Sequence, residues 1–300
     1  MFKSFMAHIP VLLNEVLKYL DPKPEQNFID CTIGGGGHAF AILEKTAPGG
    51  KLLGIDLWEE AIRELSLKSQ ILNTKNRLIL VNDSFVKLKE IVEKYNFSPV
   101  QGILLDLGLS SDLLEKSGRG FSFKKNEILD MRLNLKQSLT AKEILNKWKK
   151  EDLIKIFQEF GQERFSKKIV REIIEFRQRK EIKTSFELVD LIKKVIKQKF
   201  LVKSLARIFQ SLRIAVNNEL ENLKNVLPQA VEILRPQGRL AVISYHSLED
   251  RIVKHFLKTN PLVKVLTPSP ISPSQKERKE NPRSRSAKLR VAEKYVSLYA

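Results

Sequence analysis

Four short apolar runs, each closing on or near an acid, fill the first third of the chain. They are Phe28-Ile29-Asp30-Cys31-Thr32, residues 51–56 ending on Asp56, residues 77–83 ending on Asp83, and residues 101–106 ending on Asp106. Nearly continuous apolar runs of this length are strands buried on both faces. Residues 39–44, 59–72 and 85–95, which separate them, carry apolar side chains at helical spacing. Strand and helix in alternation predict an α/β fold built on a doubly wound, mostly parallel sheet. The alternation lapses at about Asp112 and resumes after about Lys203. Between those points no run reads as a strand. Thr140 with Glu143, and Thr184 with Glu187, have the spacing of capping boxes, and residues 151–160, 165–180 and 185–199 keep a helical period. Further on, residues 205–234 read as a helix broken near Pro228, 238–244 as a fifth strand and 247–257 as a helix. Residues 263–266 and 289–292 read as closing strands, joined by a Pro- and Ser-rich loop ordered only in part. The expectation is a seven-stranded sheet formed by residues 1–111 and 204–300, with an all-helical domain, residues 112–203, inserted after the fourth strand.

Lysine and arginine number 53 against 35 acidic residues, a net charge of +18. The excess is clustered. Residues 164–203 hold 13 basic and 5 acidic residues, and residues 276–290 hold 7 and 2. Clustered positive charge favours a polyanion, whose counterions it releases. No lipidation motif accompanies it to direct it to a membrane. Cys31 is the only cysteine, which excludes an internal disulfide and a cysteine-rich zinc site. His8, His38, His246 and His255 lack ligand spacing. No apolar stretch approaches the roughly 20 residues of a spanning helix, and no signal-peptide core is present. The expectation is a cytoplasmic protein with no metal.

Gly34-Gly35-Gly36-Gly37 follows the first strand and precedes a helix. Glycine there lets the backbone turn tightly and approach a ligand with no Cβ in the way, and the helix start offers free N–H groups. Gly34, Gly36 and Ala39 also satisfy G-x-G-x-x-A. Asp56, at the end of the second strand, is placed to accept ribose hydroxyls. Asn82-Asp83-Ser84-Phe85 follows the third strand and offers an aromatic ring to an adenine. With Asp30 and Asp106, an acid lies near the carboxyl end of each of four strands, where open α/β sheets bind ligands. The pattern points to a nucleoside-bearing cofactor and does not separate NAD from S-adenosylmethionine.

Longer blocks carry a resemblance. They are His8-Ile9-Pro10-Val11-Leu12-Leu13-Asn14-Glu15, residues 30–38, Asp106-Leu107-Gly108-Leu109-Ser110-Ser111, Gly118-Arg119-Gly120-Phe121-Ser122-Phe123 and Asp130-Met131-Arg132. Later come Arg207-Ile208-Phe209-Gln210 with Arg213-Ile214, Tyr245-His246-Ser247-Leu248-Glu249-Asp250-Arg251, and Asn281-Pro282-Arg283-Ser284-Arg285-Ser286 with Lys288-Leu289-Arg290. With these blocks in this order, the chain resembles the ribosomal RNA small subunit methyltransferase H family, which makes N4-methylcytidine in 16S ribosomal RNA. The resemblance implies a Rossmann-like methyltransferase sheet and S-adenosylmethionine as cofactor. It also implies small-subunit ribosomal RNA as substrate, near the decoding centre, with recognition by the inserted helical domain. Cofactor contacts are implied for Gly35, Gly36, Gly37, His38, Asp56, Phe85 and Asp106. Three positions depart from the family. Leu113 stands where a cofactor-contacting Gln is usual, Trp58 where an acid is usual two residues after Asp56, and Tyr245 where Phe precedes His246.

Cytosine N4 is a poor nucleophile, because its lone pair is delocalised into the ring. A protein that methylates it must hold the amine in line with the methyl group and accept its hydrogen bond as positive charge develops. That task needs no covalent nucleophile. The candidate acceptors are Asp106, unless the cofactor occupies it, and Ser110 or a neighbouring backbone carbonyl. His246 is a candidate for orienting the base or relaying the proton, and reads equally as a hydrogen-bonded histidine at a strand end. Arg119, Arg132 and Arg213 read as phosphate ligands or as internal ion-pair partners. Two other functions fit part of the pattern. One is an NAD-dependent oxidoreductase, which leaves the basic stretch and the later blocks unexplained. The other is a non-catalytic RNA-binding or ribosome-assembly protein on a methyltransferase fold, which Leu113 and Trp58 keep in play. The sequence does not choose between monomer and homodimer.

Overall fold

A computed structural model describes residues 10–296 apart from Asn73 and Lys75; His8 and Ile9 of the first motif lie outside the described residues. The chain forms two compact units, Met1–Gly108 with Leu220–Ala300, and Leu109–Glu219. In chain order the elements are α1 (Leu13–Leu20), β1 (Phe28–Asp30), α2 (Gly37–Lys45), β2 (Leu52–Asp56), α3 (Glu59–Ile71), β3 (Leu78–Asn82), α4 (Leu88–Lys94) and β4 (Val100–Asp106). The second unit contributes α5 (Ser111–Lys116), α6 (Ala141–Lys147), α7 (Lys150–Glu159), α8 (Ser166–Arg177), α9 (Ser185–Val195) and α10 (Gln198–Asn217). The chain then returns through α11 (Glu219–Ile233) to β5 (Leu234–Ser244), α12 (Ser247–Thr259), β6 (Val263–Val265), α13 (Gln275–Glu280) and β7 (Lys288–Lys294).

In the first unit the seven strands lie in the order β3-β2-β1-β4-β5-β7-β6. The first five in this order run parallel, and β7 is antiparallel to both of its neighbours. The apolar runs serve two faces at once, since successive strand residues point to opposite sides. Ile29, Leu53, Ile103, Leu105 and Val242 pack with α4, α11 and α12, whereas Phe28, Leu52, Leu104 and Ile243 pack with α1, α2 and α3. The sequence does not announce α1. It forms because Val16 and Leu20 close the second of these cores. Strand order reverses between β1 and β4, so the carboxyl ends of these two strands flank the crevice where sheets of this kind bind ligands.

The second unit holds helices and, among the described residues, no named strand. Both capping boxes form: Thr140 and Thr184 each accept a bond from the N–H of the glutamate three residues on, and each glutamate reaches back. Arg132 grips Asp130 bidentately at 2.8 and 2.7 Å and also donates to the carbonyl of Gln137. Arg213 grips Glu219 at 2.8 and 3.0 Å, and Arg119 donates to the carbonyl of Arg132. Arg119 and Arg132 tie the turn around Met131, whose φ of 58° is left-handed, and Arg213 ties the end of α10 to the start of α11.

Three local expectations change. The helix expected to break at Pro228 breaks instead at Asn218, whose φ of 51° ends α10. Pro228 lies inside α11 without ending it. The second unit accordingly runs to Glu219, because residue 203, the boundary drawn from the sequence, falls within the continuous helix α10. The Pro- and Ser-rich loop folds. Ser274 caps α13, Ile271 bridges to Leu289, and Ser284 is fully buried.

Candidate active site

The glycine loop leaves β1 with Gly34 at φ 46° and Gly36 at φ 80°, left-handed values that only glycine adopts without strain. A Cβ on Gly36 would meet the Leu65 side chain at 2.6 Å and the Phe40 ring at 2.9 Å. A Cβ on Gly35 would meet nothing within 4 Å. Gly36 is therefore fixed by packing, whereas Gly35 faces open space in which a ligand can approach the backbone. Gly37 begins α2 against the ring of Pro10.

Asp56 secures the loop. Its Oδ2 accepts the Gly34 N–H at 2.8 Å and its Oδ1 accepts the Trp58 N–H at 2.9 Å. Trp58 is buried at the start of α3, so the missing acid is replaced by apolar packing. Asn82 donates to the Asp56 carbonyl at 3.0 Å. Phe85 follows in a short 3-10 turn capped by Ser84 and is half-buried against the core. Asp83 pairs with Lys87 at 3.1 Å and is drawn to its own turn.

Asp106 ends β4 with 21% of its side chain exposed. Its backbone N–H donates to Thr32 Oγ1 at 2.7 Å, and its Oδ1 accepts the Tyr245 hydroxyl at 2.8 Å. His38 Nδ1 lies 3.8 Å from Asp106 Oδ2, too far for a hydrogen bond. His38 Nε2 is 3.0 Å from the Val11 carbonyl, which can only accept, so the proton sits on Nε2 and the Nδ1 lone pair faces the carboxylate. Burial lowers the His38 pKa and keeps the ring neutral. Burial also raises Asp56 and Asp106, with Tyr245 and Gly108 pulling the latter back down. Asp30 is pushed up to about 7 by burial, with Asp106 and Asp56 adding to it.

Among the described residues no lysine or arginine pairs with Asp30, Asp56 or Asp106. Three clustered carboxyls without a cation suit a cationic ligand. They oppose the pyrophosphate of a dinucleotide, which would add like charge to a site that already raises its own pKa values. The residues present thus fit S-adenosylmethionine and disfavour NAD.

The remaining expected residues serve helix caps and packing. Ser110 caps α5, its hydroxyl accepting the Leu113 N–H at 3.1 Å, and it belongs to the second unit, as does the buried Leu113. His246 caps α12. Its Nδ1 accepts the Glu249 N–H at 3.4 Å, its Nε2 is 3.1 Å from Glu249 Oε1, and it makes no hydrogen bond to Asp106. Cys31 is buried and burial pushes its thiol well up, which keeps it un-ionised. Two contributors were not singled out from the sequence, Thr32 and Glu249, and a third, Tyr245, was noted only as a replacement. Thr32 and Tyr245 anchor Asp106. Glu249, 3% exposed, accepts the N–H groups of Tyr245 and His246 at 2.8 and 3.3 Å. The spacing of His246 and Glu249 carried that last signal, in a capping box with histidine in the cap position.

A doubly wound sheet with a glycine loop after β1 and acids at the ends of β1, β2 and β4 defines an S-adenosylmethionine-dependent methyltransferase domain. The chain belongs to the MraW methylase family, whose model matches residues 5–295. Curated relatives named ribosomal RNA small subunit methyltransferase H agree. The protein of Clostridium botulinum is 41% identical, covering 96% of this chain and 98% of that one. The protein of Thermosipho melanesiensis is 44% identical, covering 96% and 97%. The protein of Acetivibrio thermocellus is 43% identical, covering 96% and 98%. No helix among the described residues is long and apolar enough to cross a membrane.

Proposed function

We propose that this methyltransferase acts on small-subunit ribosomal RNA and methylates the exocyclic N4 of a cytidine. The observation that carries the cofactor half of this reading is the trio of carboxyls beside the glycine loop that, among the described residues, have no lysine or arginine partner. The names of the relatives support the RNA half.

In this reading Gly35, Gly36 and Gly37 let the backbone approach the cofactor, and Asp56 accepts its ribose hydroxyls. Phe85 stacks on the adenine, and His38 and Asp106 flank the amino-acid end. S-adenosylmethionine, when bound, supplies the electrophilic methyl group. Asp106, held by Tyr245 and Thr32, accepts a hydrogen bond from the amine, with Ser110 as the alternative acceptor. His246 orients the base. Cys31 cannot serve as a nucleophile toward ring carbon C5, because its thiol is buried and un-ionised. The basic second unit contributes phosphate contacts.

The test is nucleoside analysis by mass spectrometry of small-subunit RNA from cells with and without the protein. N4-methylcytidine should vanish when the protein is absent. With purified chain, Cys31→Ser should retain most transfer, and Asp106→Ala should lose it by about a hundredfold or more. C5-methylcytidine as the product, or a Cys31→Ser protein that binds cofactor yet transfers nothing, would overturn the assignment.

A further inference from the structure

The basic segment of residues 276–290 makes no contact with the glycine loop or Asp106 among the described residues, yet it lines an open cavity. The cavity has a volume of about 360 Å³ and is bounded by Arg278, Arg285 and Lys288 together with the hydroxyl-bearing Ser247, Ser272 and Ser286. Its lining contains no aspartate or glutamate. Among the described residues Arg278 has no carboxylate partner, and Arg285 donates from Nε to the Arg278 carbonyl at 3.4 Å. Lys288 lies 3.1 Å from Asp250, but Arg290 holds the same carboxyl at 2.7 Å, so two cations share one negative charge. Among the described residues the lining therefore carries more positive than negative charge, which favours an anion. Planar guanidiniums beside hydroxyls match a phosphate better than a single carboxylate.

The position of the cavity narrows the choice of phosphate. Tyr245 and His246 form one wall, and the Tyr245 hydroxyl is the group bonded to Asp106. Tyr245 therefore lines the cavity and also bonds the carboxylate assigned above to the amine. We propose that the cavity holds a backbone phosphate of the RNA strand next to the nucleotide being methylated, and so sets the register of the target base. This rests on the RNA-methyltransferase reading above and adds the residues that seat the strand.

The test compares the full chain with Arg278→Gln/Arg285→Gln for binding of a short single-stranded RNA of small-subunit sequence across a salt titration. Each single-strand phosphate contact contributes about 0.7 to the slope of log affinity against log salt. The double variant should flatten that slope by about 0.7 and raise the KM for RNA about tenfold. Cofactor affinity, read by calorimetry, should not change. Arg278→Lys/Arg285→Lys should recover the slope, which a purely structural role for the two arginines would not produce. An unchanged slope and KM would overturn the proposal. So would stabilisation of the wild type, but not the variant, by inorganic phosphate alone with RNA binding unaltered, since that marks a free-anion site. The slope needs no turnover. A wild-type chain that binds cofactor and RNA but transfers no methyl group would sink the function assigned above and leave this measurement readable.

Discussion

The Tyr245 hydroxyl donates to Asp106 Oδ1 at 2.8 Å across 139 positions of sequence. The residue usual in this family, Phe, has no hydroxyl to give. Burial raises the Asp106 pKa, and the Tyr245 bond opposes that rise by stabilising the charged form. Tyr245→Phe should therefore raise it further. The acid limb of the single-turnover pH profile should move to higher pH, with about a tenfold loss near neutrality, as one hydrogen bond to a charged group is removed. Activity should recover in alkaline buffer. An unshifted profile would mean the carboxylate does not titrate in the reaction.

Gly35 and Gly36 should separate folding from binding. Gly36→Ala adds a Cβ at 2.6 Å from Leu65 in a left-handed turn, so it should lower the melting temperature. Gly35→Ala adds its Cβ to open space and should melt like the wild type. If the cofactor fills that space, Gly35→Ala should bind it about tenfold or more weakly in calorimetry. Normal affinity would place the cofactor elsewhere.

Asp30 ties stability to pH. Its carboxyl titrates at about 7 in the folded chain against 3.8 for the free group. Between those values the folded state holds a proton that the unfolded state has lost. Its contribution is complete below about pH 4 and is lost as pH rises through about 7. Asp30→Asn should flatten the dependence of the urea midpoint on pH across that window. A bound sulfonium acts in the opposite sense by favouring the ionised carboxyl. Near pH 7, cofactor binding should release a proton, read as a binding heat that varies with the ionisation enthalpy of the buffer. A heat that does not vary would separate the cation from Asp30.

Much of this was legible in the chain because local physics repeats it. The strands showed as apolar runs since both faces are buried, and Thr140 and Thr184 announced their helices since a hydroxyl cap is a short-range bond. His246 did the same job with an imidazole, a residue type not normally read as a cap, so its capping role became visible only with Glu249 beside it. Asn218 ended a helix that Pro228 was expected to end, because a left-handed residue leaves a weaker mark in sequence than proline. Tyr245 read as a mild replacement. A sequence shows that a hydroxyl has been added but not that its acceptor stands at the end of another strand.

The second unit should bind RNA through charge. Lys194 on α9, Lys197 at the cap of α10 and Lys199 in its first turn are exposed, whereas Lys193 already pairs with Asp190 at 3.1 Å. Lys199 also lies 4.9 Å from the centre of the exposed Phe200 ring, a surface suited to a stacked base. Replacing Lys194, Lys197 and Lys199 by glutamate should flatten the salt dependence of RNA binding and leave cofactor affinity intact. An unaltered slope would reduce the stretch to a solvated surface.

The position of β5 has a consequence for how the chain is made. This strand lies between β4 and β7, but its first residue, Leu234, follows the last residue of β4, Asp106, by 128 positions. A growing chain thus completes β1 to β4 and then carries an open edge on β4 while the whole second unit emerges. At about 5–20 residues per second that interval lasts on the order of ten seconds. An unpaired, apolar parallel edge is a template for association with other chains throughout it. The half-sheet is the state of this protein that a ribosome-bound chaperone would meet, and a message truncated near codon 220 should yield aggregate instead of a smaller soluble domain.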